Sequence, residues 1–289
     1  MNCRWCISAF ALTVGIAAMP AARSQILDLT KYPDIAGGWG RSEAYQWAPR
    51  GEQPPLTPEY QAVYQANRAA QARGGHGTDV MYRCFPPGMP RQMLVYSPME
   101  IVITAKTTYM LIDHIHDDRR IFTDGRPWPQ EGIEPGIEPG IEPEIEPTFS
   151  GYSIGKWVDE DGDGKYDALE VETRFLKGPR TLDGALPTHT DNQSIVKERI
   201  YLDKENRDIL HDQITLIDHA YTRPWTVTKS YPRYQEPGPS GWPEEVCAEA
   251  NVWVSLGKED YYLSSDGYLM PTKKDQAPPD LRYFKPIGK

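Results

Sequence analysis

The spacing of apolar residues changes once along the chain, from a helical to an alternating pattern. Between Thr57 and Arg73, the positions Tyr60, Val63, Tyr64 and Asn67 recur on one helical face. Thr57 can cap the first turn, and Pro58 suits the first helical position because its missing N–H has no partner to lose there. Glu59 meets the positive end of the dipole, and Gly74-Gly75 ends the pattern. A helix over about 58–73 is predicted, packed flat against the body in a structural role. From Met99 the period falls to two. Strands are predicted over 99–104, 108–115, 119–123, 152–158, 168–175, 194–202, 209–217 and 221–231.

Most links between these strands are short and rich in turn formers, as at Asp124-Gly125 and Asp203–Asp208. Sequential strands with such links make an antiparallel meander. About eight of them tend to close into a lipocalin-like, up-and-down barrel, because closure removes unpaired edges. An open, twisted sheet with the helix over one face is the alternative. From Gln235 the chain is proline-rich and irregular, with a hairpin expected across 251–256 and 261–263. Residues 132–147 repeat Gly-Ile-Glu-Pro and end on Glu-Ile-Glu-Pro. Proline denies this stretch a regular ladder and the glutamates repel one another, so a flexible surface loop without assigned function is expected.

The N-terminus has the layout of a secretory signal peptide. Arg4 precedes an apolar run from Trp5 to Met19, and Ala22-Arg23-Ser24 offers a cleavage site before Gln25. The run is shorter than the roughly 20 residues that span a bilayer. Removing residues 1–24 is expected to leave a single β-rich domain over 25–289 in the periplasm or outside the cell, with no membrane insertion. Loss of Arg4 and Arg23 takes the formal charge of −10 to −12. So acidic a chain repels phosphate backbones, which argues against nucleic acid as a partner. Only Cys84 and Cys247 then remain. In an oxidising compartment an even pair is most simply a disulfide, the alternative being two buried thiols. Closing so long a loop removes ~5 kcal/mol of unfolded-chain entropy in the chain-entropy account.

Residues 159–170 carry the spacing of an EF-hand calcium loop. Asp159, Asp161 and Asp163 take positions 1, 3 and 5, and Gly164 the turn at 6. Lys165 offers its carbonyl at 7, Asp167 sits at 9, and Glu170 is the closing bidentate acid at 12. Tyr166 replaces the usual aliphatic residue at 8. The flanks read as strands and not helices, so a structural calcium ion stapling a hairpin is one reading and an uncomplexed Asp/Gly turn the other. No nucleotide or organic cofactor is indicated.

Two other groups carry candidate chemistry. His114 and His116 share a strand face within the run from Asp113 to Arg126 and could do acid–base work or share a metal with a third donor. Against this stands a solvated hairpin tip of mixed charge. His189-Thr190-Asp191 precedes a strand on which Glu198 shares a face with Val196 and Ile200. A buried Glu198 needs a cation, for which Arg120, Arg126 and Arg174 are candidates. There is no Gly-x-Ser-x-Gly elbow, P-loop or dinucleotide fingerprint.

Several stretches resemble, as an ordered set, a large family of exported bacterial proteins. They include Cys84-Phe85-Pro86-Pro87-Gly88-Met89-Pro90-Arg91, Arg119–Arg126, Gly151–Trp157 and Glu198-Arg199. The resemblance implies a shared fold and no catalytic assignment. Family members often have a short Trp-Glu-Gly-Asp-Thr-Leu turn where this chain has Trp157 to Leu169, so the Asp-rich loop resembles an elaborated hairpin turn. Gly37-Gly38-Trp39 is loosely similar to the first strand of lipocalins.

Together these readings lead to an exported barrel that binds a small, partly apolar molecule. Tyr109, Trp157 and Trp225 are wall candidates, and Arg120 and Arg126 would orient an acidic or phenolic group. The alternative is a lyase, hydratase or isomerase working in the same cavity through His114, His189 and Glu198. A surface-interaction protein using the barrel as a scaffold is a third possibility. The sequence leaves the oligomeric state open.

Overall fold

The computed structural model describes residues 27–40, 46–94, 98–112, 118–129, 145–234, 247, 252–264 and 268–279. The signal-peptide pattern, His114 and His116, and most of the glutamate–proline repeat lie outside them. Nine strands form one sheet in chain order: β1 (Gly37–Trp39), β2 (Met99–Ile103), β3 (Thr107–Ile112), β4 (Arg119–Phe122), β5 (Tyr152–Val158), β6 (Ala168–Arg174), β7 (Ile195–Leu202), β8 (Ile209–Ile217) and β9 (Trp225–Pro232). The sheet curls until its ends meet. Beyond β9, Arg233 bridges Trp39, Gly40 N–H donates to Pro232 O (2.7 Å) and Tyr234 N–H to Gly38 O (2.9 Å). A nearly closed barrel results, and the chain between β1 and β2 forms an α-helix, α1 (Pro58–Ala72).

One pair departs from the antiparallel meander. β4 and β5 run parallel, Ile121 opposite Ser153, so the barrel is mixed. A parallel neighbour requires the chain to return to the end it started from, and such a crossover is long by necessity. The glutamate–proline repeat falls within this connection, where added length disturbs no tight hairpin.

Alternation sets the core. Val196, Glu198, Ile200 and Leu202 of β7 point inward with Leu210, Asp212, Ile214 and Leu216 of β8, and Trp225, Val227, Lys229 and Tyr231 of β9. On β5 the inward position 155 must be glycine: a Cβ there would lie 2.6 Å from Ile121 Cγ2 and 3.1 Å from Leu169 Cδ1. The neighbouring strands fill the space that its side chain would take. Part of the interior is filled by the chain's own segment 89–94. Met89, Gln92, Met93 and Leu94 are buried, and the Tyr231 hydroxyl donates to Met93 O at 2.6 Å.

α1 begins as its sequence requires, Thr57 Oγ1 accepting from Tyr60 N–H and Pro58 in the first turn. It is anchored by Asn67, the buried residue of its face. The Asn67 amide donates to Ala185 O and Thr78 Oγ1 (both 2.8 Å) and accepts from Thr78 N–H (3.0 Å). The C-terminal hairpin gains a third strand, giving a small separate sheet of β10 (Trp253–Leu256), β11 (Glu259–Leu263) and β12 (Leu269–Pro271). It leans on the segment after α1 through Arg83–Asp260 (3.0 Å) and the packing of His76 on Trp253. The Cys84–Cys247 disulfide ties the same regions together, with Cα atoms 5.7 Å apart. Among the described residues no helix is long and apolar enough to cross a membrane.

Candidate functional site

The barrel interior is charged at its centre. Arg119 on β4 extends across β5 and β6 to β7. Its Nε donates to Ser153 Oγ (3.3 Å), and Nη2 donates to Thr173 Oγ1 (2.9 Å). Both terminal nitrogens fork onto Glu198, Nη1 to Oε1 at 2.7 Å and Nη2 to Oε2. Both side chains are essentially inaccessible to solvent. A guanidinium presents two parallel N–H groups to a carboxylate, and this makes the pair tolerable without water.

Asp212 is a diagonal neighbour of Glu198 on the inward face, and neither of its oxygens receives a hydrogen bond among the described residues. Burial first, and then the Glu198 charge, push its carboxyl well above the usual range, with Arg119 pulling the other way. The shift favours the protonated acid, which can donate to Glu198. Lys229 stands opposite Asp212 in the strand register but turns away, donating to Gln46 O (2.7 Å) and Trp47 O (3.1 Å). Burial pulls its amine down to about 8. The interior is thus occupied by the chain's own buried side chains, and this leaves little room for a ligand.

The predicted wall residues divide by strand parity. Trp157 and Trp225 do point inward, but into packing. Trp157 meets Tyr32 edge-on at 5.0 Å, and Trp225 packs near Trp47 and Tyr221 while its indole N–H donates to Glu52 at 2.6 Å. Tyr109 and Arg120 lie opposite each other on the outward face, because Met110 and Arg119 hold the inward positions. A shift of one residue along a strand reverses the face. Arg126 is also outside. It forks onto Asp124 (2.9 and 2.8 Å) and lies over the Phe122 ring, holding the Asp124 carboxyl down at about 2.

His189 sits at the barrel end where β7 begins and β8 finishes, beside Asp191, His219 and the ring of Tyr60. It shares no partner with Glu198 or Arg126, so the three do not form one acid–base site. The cation of Glu198 is Arg119 and not Arg120, Arg126 or Arg174. Arg174 instead pairs with Glu172.

The Asp-rich loop is the turn between β5 and β6. Asp159 accepts from Gly162 N–H (2.8 Å) and Gly164 N–H (2.9 Å), glycines that adopt the positive φ the turn requires. Asp163 accepts from Lys165 N–H and Asp167 from Glu160 N–H, both at 2.7 Å. One carboxylate oxygen each from Asp159, Asp161 and Asp167 lies within 4.8 Å of the others. Asp163, Lys165 and Glu170 fall outside that cluster, and Glu170 pairs across the sheet with Lys156. Tyr166 anchors the loop from position 8, its ring 5.1 Å from that of Tyr32.

A cavity of about 390 Å³ opens outside the barrel, between α1 and residues 46–54. Tyr64, Arg68 and Gln71 of the helix line it with Arg50, Glu52 and Asp183. On its wall, Arg91 forks onto Asp79 (2.7 and 3.0 Å). None of the site residues expected from the sequence lines this cleft, which is built from five segments that only the fold brings together. No family model matches the chain, and no curated protein matches it in sequence.

Proposed function

We propose that this chain is an exported binding protein that holds a small, partly apolar molecule in the cleft beside α1 and not inside the barrel. The observation that carries this reading is the contrast between the two spaces. The interior is filled by Arg119, Glu198, Asp212 and segment 89–94, whereas the cleft has the size of a small-ligand site and mixed walls. Tyr64 and Leu94 supply apolar contact. Arg50 and Arg68, exposed beside it, would orient an acidic or phenolic group. Export is supported by the N-terminal pattern and by the paired cysteines, and the resemblance to exported bacterial proteins belongs to the same proposal. Calcium at Asp159, Asp161 and Asp167 would be a structural ion. A lyase, hydratase or isomerase using His189 and Glu198 is not favoured, since the two have separate partners.

Titration with a panel of aromatic and medium-chain carboxylic acids, followed by amide chemical shifts, tests the site. Saturable shifts at residues 46–54, Tyr64 and Arg68 are expected, with loss of affinity in Arg68→Ala. Shifts centred on Ile121 and Ile214 would return the ligand to the barrel. No saturable binding at millimolar concentration would remove the reading.

A further inference from the structure

The turn entering β7 and the turn leaving β8 are neighbours, because Ile195 pairs with Ile217. One buried carboxylate fastens them together. Asp218 Oδ1 accepts from His189 N–H (3.0 Å) and Ala220 N–H (2.8 Å), and Oδ2 from the Ser194 hydroxyl (2.5 Å). Ser194 accepts in turn from the buried Arg180 (2.7 Å). The backbones at His189 and His219 are therefore held in place from below, independently of what their side chains do.

Above this frame the side chains converge. Asp191 Oδ1 is used by Gln193 N–H (3.1 Å), which leaves Oδ2 facing two imidazoles. His189 Nδ1 lies 3.1 Å from Oδ2 and His219 Nδ1 2.5 Å. One donor atom from each of the three residues lies within 4.8 Å of the other two. His189 Nδ1 also accepts from the Asp191 N–H (3.1 Å), which favours the tautomer with its proton on Nε2 and leaves Nδ1 a lone-pair donor that an ion can claim in exchange for that hydrogen bond. Tyr60 braces the His189 ring, with centroids 5.4 Å apart.

We propose that His189, Asp191 and His219 form a binding site for a divalent transition-metal ion of the zinc type, with its fourth position open to solvent. Two imidazole nitrogens and one carboxylate oxygen suit a borderline cation and not calcium, which prefers an all-oxygen shell. Tetrahedral zinc holds such donors at ~2.0–2.2 Å, so neighbouring donors stand roughly 3.4 Å apart. The observed 2.5 Å between His219 Nδ1 and Oδ2 is that of a proton-bridged pair, whereas the 3.1 Å from His189 Nδ1 is already near the coordinated spacing. An ion replacing the bridging proton would move the exposed His219 outward by about 1 Å, while the Asp218 frame stays in place.

The test uses the purified chain, free of any histidine tag and stripped with chelator. It is titrated with Co²⁺, followed by visible absorption, and then with Zn²⁺ in competition. One equivalent should give tetrahedral cobalt bands that zinc bleaches and millimolar calcium does not. His219→Ala and, separately, Asp191→Asn should each weaken binding by ~10-fold or more, since even outer-shell partners are worth that much. His211→Ala, at an imidazole bonded to Asp203 and Ser230, should bind as wild type. The His219 side chain is 63% exposed, so its removal should leave the fold intact, which circular dichroism checks. Absence of cobalt bands in the wild type, or unchanged affinity in both His219→Ala and Asp191→Asn, would overturn the proposal.

Discussion

Two places in this molecule crowd carboxylates together, and they resolve the crowding in opposite ways. In the barrel, Glu198 and Asp212 lie out of reach of water; one arginine pairs with Glu198, and burial shifts Asp212 toward its protonated form. In the 159–170 turn the carboxylates are solvated, and backbone N–H groups satisfy one oxygen after another. The buried set must be complete within the chain, because an unmatched charge there has nothing else to turn to. The exposed set can remain incomplete and leave room for an ion from outside. Burial thus decides whether an acidic cluster acts as a structural brace or as a binding capacity.

Removing the interior cation should have the largest effect. Arg119→Met leaves Glu198 and Asp212 buried side by side without a counter-charge, and breaking such a pair costs ~3–5 kcal/mol. Urea unfolding should show the midpoint falling by a corresponding amount. Adding Glu198→Met should restore much of the loss, since a well-packed apolar replacement of a buried pair is often neutral or better. If the single variant were as stable as the wild type, the pair would contribute nothing to the fold.

The second effect depends on pH. A carboxyl whose pKa is raised by folding binds its proton more tightly in the native state. Asp212 therefore costs nothing while both states are protonated, below the ordinary value of 3.8. Stability is lost as pH rises from there through the folded-state value. Asp212→Asn should flatten this decline and gain on the wild type with rising pH. Parallel profiles for the two proteins from pH 3 to pH 8 would mean that Asp212 is ionised in the fold.

Much of this architecture could be read from the alternation of apolar residues. Helix α1 keeps its predicted cap and stop, and the strands from β2 to β9 match their expected runs to within a few residues. The charged centre was legible too, but only through strict strand parity. Asp212 alternates with Leu210, Ile214 and Leu216, the signature of an inward position, and Arg119 alternates with Ile121 in the same way. Arg120, one of the three candidate cations for Glu198, lies one residue along and therefore on the outer face. Pairings across distant turns could not be read. His219 meets Asp191 only because β7 and β8 are paired, and the cleft exists only because residues 46–54 fold back over α1. Spacing along a chain reveals local ligand sets, such as the Asp-rich loop, and is silent about sets assembled by tertiary contact.

That loop carries the smallest expected effect and tests the other half of the contrast. Three of its carboxylates already lie within 4.8 Å, so an ion need draw in few further ligands. Extracellular-type sites bind calcium at ~10⁻⁴–10⁻³ M. At tenfold excess over the dissociation constant, binding to the folded state alone stabilises by about 1.4 kcal/mol. For a chain of this size that is an increase of roughly 3 °C in melting temperature. Chelated protein should show this rise on addition of millimolar calcium, and Asp161→Asn should lose it without changing its calcium-free stability, because the Asp161 side chain is exposed. Magnesium should do less, since it requires a tighter octahedral shell than a solvated turn provides. Equal shifts from both ions, or the same shift in Asp161→Asn, would mean that general screening of the acidic surface and not a coordinated ion accounts for the gain.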